Sequence, residues 1–150
     1  MYYKLVCVGK LASKNAFQTI CEDYKKRIKN ELLIVEIKSN IIKRSERIEF
    51  EAKKITECLK KDKDVFLLDS SGNNYSSKAF SELFMQKKEA GSKGITFVIG
   101  GIYGLHKKII SQFSSISFGA MTWPHGLIRV LLLEQIYRAQ TILDGHPYDK

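Results

Sequence analysis

Two short segments of the sequence combine glycine, aromatic and polar residues in a way that is typical of binding loops. The first, GGIYG at residues 100–104, has three glycines that allow the backbone to approach a ligand closely. Its GGxxG spacing differs from the dinucleotide pattern GxGxxG, and the phosphate-loop pattern GxxxxGK(S/T) does not occur. The second, FGAMTWPH at residues 118–125, holds the only tryptophan and one of the 2 prolines. A tight turn and a packed loop leading into a helix are the simpler alternatives for these segments.

Arginines in the C-terminal part of the chain add candidate charged groups. Arg129 and Arg138 stand in a segment that is otherwise apolar on most sides, and a buried arginine needs an anionic partner. Arg129 lies one turn into this predicted helix, beside the second segment, which favours it as a functional group. The i,i+4 spacing of Glu134 and Arg138 also fits a plain ion pair on a solvent-facing side.

The histidines and cysteines do not form a recognisable metal motif. His106, His125 and His146 are 19 and 21 residues apart, too far for a local ligand pair. The 3 cysteines are 14 and 37 residues apart, without a C-x-x-C motif, and are typical of small core side chains. We therefore expect no metal. The cysteine pattern and the absence of a secretory signal predict a cytoplasmic protein.

The order of apolar runs predicts the elements that position these loops. Strands are predicted at residues 2–8, 32–37, 65–68, 95–99 and 116–118, and helices at 17–28, 48–59, 79–84, from 105 and from 125 to about 144. We expect the third strand to end at Asp69, before a turn signal, SSGNN, at residues 70–74. The runs at 65–68 and 95–99 are wholly apolar, as in strands that are covered on both faces. The fold class is thus α/β, with a mostly parallel sheet and helices on both faces. Ligands bind at the carboxyl ends of such strands, where both segments fall.

Length and charge restrict the possible partners. With 150 residues the chain is expected to form one domain, 1–150. The net charge of +9 indicates an anionic partner, which is a nucleic acid, an acidic membrane surface or a phosphorylated ligand. No apolar stretch is long enough to span a bilayer.

Four segments in order resemble one known family over essentially the whole chain. They are YKLVCVGKL at 3–11, VFLLDSSGN at 65–73, FVIGGIYGLH at 97–106 and SFGAMTWPHGLIRVLLLEQIYRAQTILDGHPY at 117–148. The chain resembles the ribosomal RNA large subunit methyltransferase H family. The resemblance implies a SPOUT-type fold with a C-terminal trefoil knot, a homodimer and a bound S-adenosylmethionine. It also implies N3-methylation of a pseudouridine in large-subunit (23S) ribosomal RNA, with the assembled ribosome as the substrate.

The resemblance and the glycine loop together nominate site residues. The expected cofactor-binding residues are Leu68, Gly100, Gly101, Gly104, Phe118, Gly119, Ala120, Met121, Thr122 and Trp123. The expected substrate-binding residues are His125, Arg138 and His146. The expected catalytic residues are Arg129 as an orienting cation, Tyr148 as a stacking or hydrogen-bonding partner, and Asp149 as general base. Asp149 stands where the family usually has a second tail histidine.

Two other functions are compatible with the sequence. One is a different SPOUT activity, such as ribose 2′-O-methylation of transfer RNA, which mapping of the modified nucleotide would reveal. The other is a non-catalytic ribosome-associated protein, which would not bind S-adenosylmethionine.

Overall fold

The computed structural model describes residues 1–12 and 15–148, and in this part five strands alternate with five helices. The strands are β1 (Tyr2–Val8), β2 (Leu32–Ile37), β3 (Asp64–Asn74), β4 (Gly94–Ile99) and β5 (Ser114–Ser117). The helices are α1 (Ala16–Arg27), α2 (Arg44–Leu59), α3 (Ser77–Glu89), α4 (Lys107–Ile110) and α5 (His125–Leu143). Every element that the apolar pattern predicts is present.

The strands form a single sheet in the order β2-β1-β4-β3-β5, and all neighbouring pairs are parallel. In the register of the ladder, Leu68 on β3 lies opposite Ile99 on β4 and Ile116 on β5. The ends of these three strands therefore lie side by side at the carboxyl edge of the sheet. The predicted α/β class with a parallel sheet is confirmed.

Both faces of the sheet are covered, because side chains alternate between two apolar clusters along each strand. On β1, Leu5 and Cys7 belong to one cluster, while Val6 and Val8 belong to the other. The first cluster takes its helical residues from α1, α3 and α5, and the second takes them from α2 and α4. The prediction of helices on both faces is confirmed, as is the burial of two of the cysteines, Cys7 and Cys21; Cys58 is half-buried.

The predicted end of the third strand at Asp69 is wrong, since β3 continues to Asn74. Pairing with β5 shifts register between Leu68 and Asn73, so the turn-forming residues bulge out of the ladder without reversing the chain. Within the bulge, Asp69 Oδ1 accepts a hydrogen bond from Ser71 N at 2.9 Å. A Cβ built at Gly72 would lie 2.5 Å from the carbonyl carbon of Ser115, so only glycine fits against β5 here.

Helix α5 is the longest helix, and it lies between α1 and α3. It begins directly after Pro124, whose fixed φ suits the entry to a helix. In the part of the chain that the structure describes, no helix combines the length and hydropathy needed to cross a membrane. The trefoil knot stays a prediction, since the strand order and element bounds do not by themselves define one.

Candidate active site

A cavity of about 390 Å³ opens at the carboxyl edge of the sheet, between the ends of β3, β4 and β5 and the start of α5. Nine of the ten expected cofactor-binding residues line it, and Ala120 does not. The lining residues from that set are Leu68, Gly100, Gly101, Gly104, Phe118, Gly119, Met121, Thr122 and Trp123. The two segments that the sequence singled out, which are distant along the chain, thus face each other across one cavity.

The glycine loop makes a tight turn whose backbone forms one wall of the cavity. Gly104 N donates a hydrogen bond to Gly101 O at 2.9 Å, and Gly104 has a φ of +76°. A side chain is strained at that φ, so glycine is required for conformational reasons. At Gly100, an added Cβ would lie 2.9 Å from Leu105 Cγ. The glycines therefore let the loop close tightly and present its backbone to a ligand.

The second segment forms the opposite wall and is held by its own hydrogen bonds. Trp123 Nε1 donates to Phe118 O at 3.2 Å, and Ser117 Oγ accepts from Gly119 N at 3.1 Å. Gly119 has a φ of +103°, which again favours glycine. Met121 stands at the mouth with 73% of its surface exposed. This wall combines a hydrogen-bonded backbone with an exposed, unbranched apolar side chain at the entrance.

The cavity suits a ligand that contains a nucleoside. Its volume lies in the range of small-molecule sites, and apolar side chains dominate the part below the loops. Leu68, Ile99 and Ile116 supply that floor, while Asp69 and Thr122 add polar groups. The residues present therefore fit an adenosine with a charged tail, which is the form of S-adenosylmethionine.

His125 forms part of the cavity wall and is half-buried. Burial and then the charge of Arg129 lower its pKa, and they outweigh Glu36 and a hydrogen bond with the Val8 backbone, which act in the opposite direction. Its Nε2 atom is buried and has no hydrogen-bond partner among the described residues. The structure thus places a neutral imidazole beside the cavity at neutral pH.

Arg129 follows His125 by one turn on the same face of α5 but does not line this cavity, because protein acceptors on β2 and after β1 hold its guanidinium. Its Nη1 atom donates to Glu36 Oε1 at 2.6 Å, and its Nη2 atom donates to Gly9 O at 2.5 Å. The side chain is 3% exposed. The expectation that a buried arginine needs an anionic partner is confirmed, while a direct role at the target base stays a prediction.

The C-terminal tail lies against its own helix. The ring of Tyr148 meets that of Tyr137 edge-on at 4.8 Å, and the Arg138 guanidinium lies 4.9 Å from the Tyr148 ring centroid. Tyr148 Oη donates to Glu134 Oε1 at 3.3 Å, and Arg138 Nη2 forms the expected ion pair with the same oxygen at 2.7 Å. This pair is half-buried, at 26% and 18% exposure, rather than on a solvent-facing side.

The tail and the cavity of one chain are well separated. Glu134 follows His125 by nine residues of α5, which is about 14 Å at the helical rise. His146 is exposed, and its Nδ1 accepts from Tyr148 N at 3.2 Å. Asp149 lies outside the described residues. The structure therefore does not bring His146 or Tyr148 to the cavity of their own chain.

Sequence reasoning missed Glu36, although one signal for it exists. It is the only charged residue of β2, whose sequence is LLIVEI. A carboxylate within an apolar strand indicates a specific cationic partner. In the described part of the chain, no three His, Cys, Asp or Glu side chains are grouped so as to hold a metal ion.

Comparison with known proteins defines the class. A family described as predicted SPOUT methyltransferase matches residues 1–149. A probable methyltransferase from Bordetella pertussis has the same fold, with a TM-score of 0.60 and 10% identity over 91% of this chain and 95% of that chain. A structure described in terms of 2-OH methylation of C/U34 on tRNA gives 0.51 and 14%, over 97% and 98%. At these identities the two structures support the fold alone. The family match over residues 1–149 shows that the chain is a SPOUT methyltransferase.

Curated relatives identify the family within this class of methyltransferases. The ribosomal RNA large subunit methyltransferase H of Mycoplasmopsis synoviae is 42% identical over 154 residues, covering 100% of both chains. The protein of the same name from Flavobacterium psychrophilum is 36% identical over 155 residues, covering 99% of this chain and 98% of its own. The chain therefore belongs to the ribosomal RNA large subunit methyltransferase H family.

Proposed function

We propose that this chain methylates large-subunit ribosomal RNA with S-adenosylmethionine as donor, at N3 of a pseudouridine in the assembled ribosome. The observation that carries the proposal is the convergence of nine expected cofactor-binding residues on one cavity at the strand ends. We propose further that residues 1–150 act as one domain, in the cytoplasm and without a metal ion.

The main contribution of the protein is positioning. When bound, the cofactor supplies a methyl group on a positively charged sulfur. The glycine loop and the segment 118–123 would hold the cofactor between them, and the apolar side chains of the cavity would limit the access of water. Fixing donor and acceptor in line contributes up to about 7–11 kcal/mol to lowering the barrier.

The N3 proton of the target base must leave, and a general base accelerates that step by about 10²–10⁴-fold. We assign this role to Asp149, with Tyr148 stacking on the base or forming a hydrogen bond to it. Stacking on an aromatic ring contributes about 1–3 kcal/mol per base. Because Arg129 is held by Glu36 and Gly9, we assign it to positioning α5 rather than to contact with the base.

We propose that the active form is a homodimer in which the tail of one subunit completes the site of the other. The separation of about 14 Å along α5 between the cavity and the tail supports this arrangement. A groove beside the cavity supports it as well, because it exposes aromatic and apolar side chains that a second copy would cover. These side chains are Tyr75, Phe118, Trp123 and Leu131.

The deciding experiment measures transfer of labelled methyl groups to ribosomes, to protein-free ribosomal RNA and to transfer RNA, and maps the product by mass spectrometry. We expect N3-methylpseudouridine in ribosomes. A 2′-O-methylated transfer RNA would identify a different SPOUT activity. Failure to bind S-adenosylmethionine at millimolar concentration in calorimetry would identify a non-catalytic protein.

A further inference from the structure

We propose that a row of cations on the carboxyl edge of the sheet, with Arg44 at its centre, binds phosphates of the RNA that carries the target base. The inference rests on the proposed function and identifies the docking surface of that site. We call this surface the basic rim, and it consists of Lys10, Lys38, Arg44, Lys107 and Lys108.

The basic rim and the cavity share one edge of the molecule because all strands are parallel. Lys10 follows the end of β1 by two residues, and Lys38 follows β2 directly. Arg44 begins α2, and Lys107 and Lys108 begin α4, with two residues between this helix and the end of the glycine loop. Since β2 and β4 are two strand spacings apart, or about 10 Å, the rim runs from the edge strand to the cavity mouth.

Apart from Lys10, whose charge helps to lower the pKa of Glu36, the rim cations have no compensating carboxylate among the described residues. All five side chains belong to exposed residues, and among the described residues none of them forms an ion pair. At the opposite edge, by contrast, Lys4 pairs with Asp62 at 2.8 Å. Lys60 and Lys61 form no ion pair among the described residues and follow the C-terminal end of α2, whose first residue is Arg44. They provide a control.

Arg44 is held beside the cavity by a residue of the glycine loop. Its guanidinium carbon lies 5.3 Å from the ring centroid of Tyr103, and that of Arg47 lies 6.0 Å away. Arg47 Nε also donates to Glu51 Oε1 at 2.7 Å, and that carboxylate is 3% exposed, so the charge of Arg47 is compensated inside the protein. Arg44 has no such partner in the described chain, and its charge is available to an external anion.

RNA phosphate is the anion that fits an open row of cations beside a methyl-transfer cavity. Lysine and arginine contacts to phosphate position a nucleic acid without reading its sequence, and their strength depends on salt through counterion release. The rim would therefore set the affinity for the ribosome, while the cavity and tail would set the choice of base.

The test compares a rim variant, Arg44→Ala with Lys107→Ala and Lys108→Ala, with the control variant Lys60→Ala with Lys61→Ala. For the rim variant we expect KM for ribosomes to rise about tenfold or more, with an unchanged Kd for S-adenosylmethionine. The slope of log affinity against log salt should fall by roughly one for each phosphate contact removed. The control variant, which removes two charges, should behave as the wild type.

Three results would overturn the assignment. They are an unchanged KM in the rim variant, an equal rise in the control variant, and a rise in KM without a smaller salt slope. The last result would point to a ribosomal protein rather than RNA as the contact. If the wild type binds S-adenosylmethionine but does not methylate ribosomes, the proposed function itself fails. If the wild type methylates ribosomes and the rim variant does so with the same KM, only the assignment of the rim fails.

Tyr103 is a positioning residue in this proposal, and a double-mutant cycle isolates that role. Tyr103→Phe keeps the ring and should leave KM for ribosomes unchanged. Tyr103→Ala should raise KM, but should add nothing when Arg44 is already alanine, because both changes remove one contact. Fully additive effects, or a loss of cofactor affinity that accounts for the rise in KM, would overturn the role of Tyr103.

Discussion

Arg129 on α5 and Glu36 on β2 are 93 residues apart in sequence and form an ion pair of 2.6 Å behind the wall of the cavity. Arg129 also donates to the carbonyl of Gly9, at the end of β1. On its other side Gly9 adjoins His125, since a Cβ built there would lie 3.6 Å from His125 Cε1. The ion pair therefore fixes the start of α5, and with it one wall of the cavity, against the first two strands.

Removing Arg129 should lower the free energy of unfolding. Arg129→Ala leaves Glu36 partly buried without its cation, and the loss of one member of a buried pair costs about 3–5 kcal/mol. Chemical denaturation measures the free energy of unfolding. The control is Lys43→Ala, which breaks an exposed pair with Glu46 and should cost less than about 1 kcal/mol. Equal small losses in both variants would contradict the structural role of Arg129.

The same ion pair should make stability depend on pH. Burial alone would raise the pKa of Glu36, but the hydrogen bonds from Arg129 and the Leu11 N–H, with nearby positive charge, hold it below its usual value. The carboxylate thus stabilises the fold above the pKa of the unfolded chain, and the contribution is lost as the pH falls through the lower native pKa. Glu36→Gln should flatten the stability profile at pH values below the ordinary glutamate pKa. An unchanged acid slope would contradict the assignment.

Two glycines with the same φ allow an effect on cofactor binding to be distinguished from an effect on stability. Gly104 in the glycine loop and Gly91 between α3 and β4 both have a φ of +76°, and a Cβ at either would meet nothing within 4 Å. Alanine at each should therefore cost similar stability, about 1–2 kcal/mol. Only Gly104→Ala should weaken binding of S-adenosylmethionine, which the fluorescence of Trp123 in the cavity wall can report. Equal affinities would exclude the glycine loop from the cofactor site.

The apolar pattern was sufficient to predict the order of strands and helices. Strands buried on both faces appear as continuous apolar runs, and amphipathic helices show apolar residues three or four positions apart. The pattern failed at residues 69–74, where the local composition favours a turn. Pairing with β5 overrides that preference, and Gly72 allows the close backbone contact with Ser115 that continues β3. The composition of residues 70–74 predicts a turn after the strand, and tertiary pairing with β5 makes them a bulge within β3 instead.

The candidate site was predictable where its residues follow strand ends, because the carboxyl ends of parallel strands meet at one edge. The pairing of Arg129 with Glu36 was not, since nothing local relates a residue on β2 to one on α5. The same holds for Arg44, at the start of α2, and Tyr103, in the glycine loop. Such contacts depend on how the chain crosses over, and a single sequence does not specify that.

His125 should remain uncharged at neutral pH. Burial and the Arg129 charge lower its pKa, so the native state resists protonation that the unfolded chain accepts. Stability linked to this group is present above the ordinary histidine pKa and declines as the pH falls through the lower native value. Titration of the imidazole by NMR checks this, with the urea-unfolded protein as the reference. A native pKa at or above the reference value would contradict the environment described for His125.

Subunit mixing tests whether the tail acts across a dimer. Tyr148→Ala removes the tail ring, and Gly104→Val disables the cavity through a strained backbone, so each homodimer should be inactive. If tail and cavity come from different subunits, equal mixing after unfolding and refolding should restore about a quarter of the wild-type sites, because half of the dimers are mixed and each has one intact pair. Tyr148→Phe, which keeps the ring against Tyr137 and Arg138, controls for lost packing and should complement the cavity variant at least as well. No recovery on mixing, with dimers present in solution, would place the tail at the cavity of its own chain and would require it to leave the position it holds against α5.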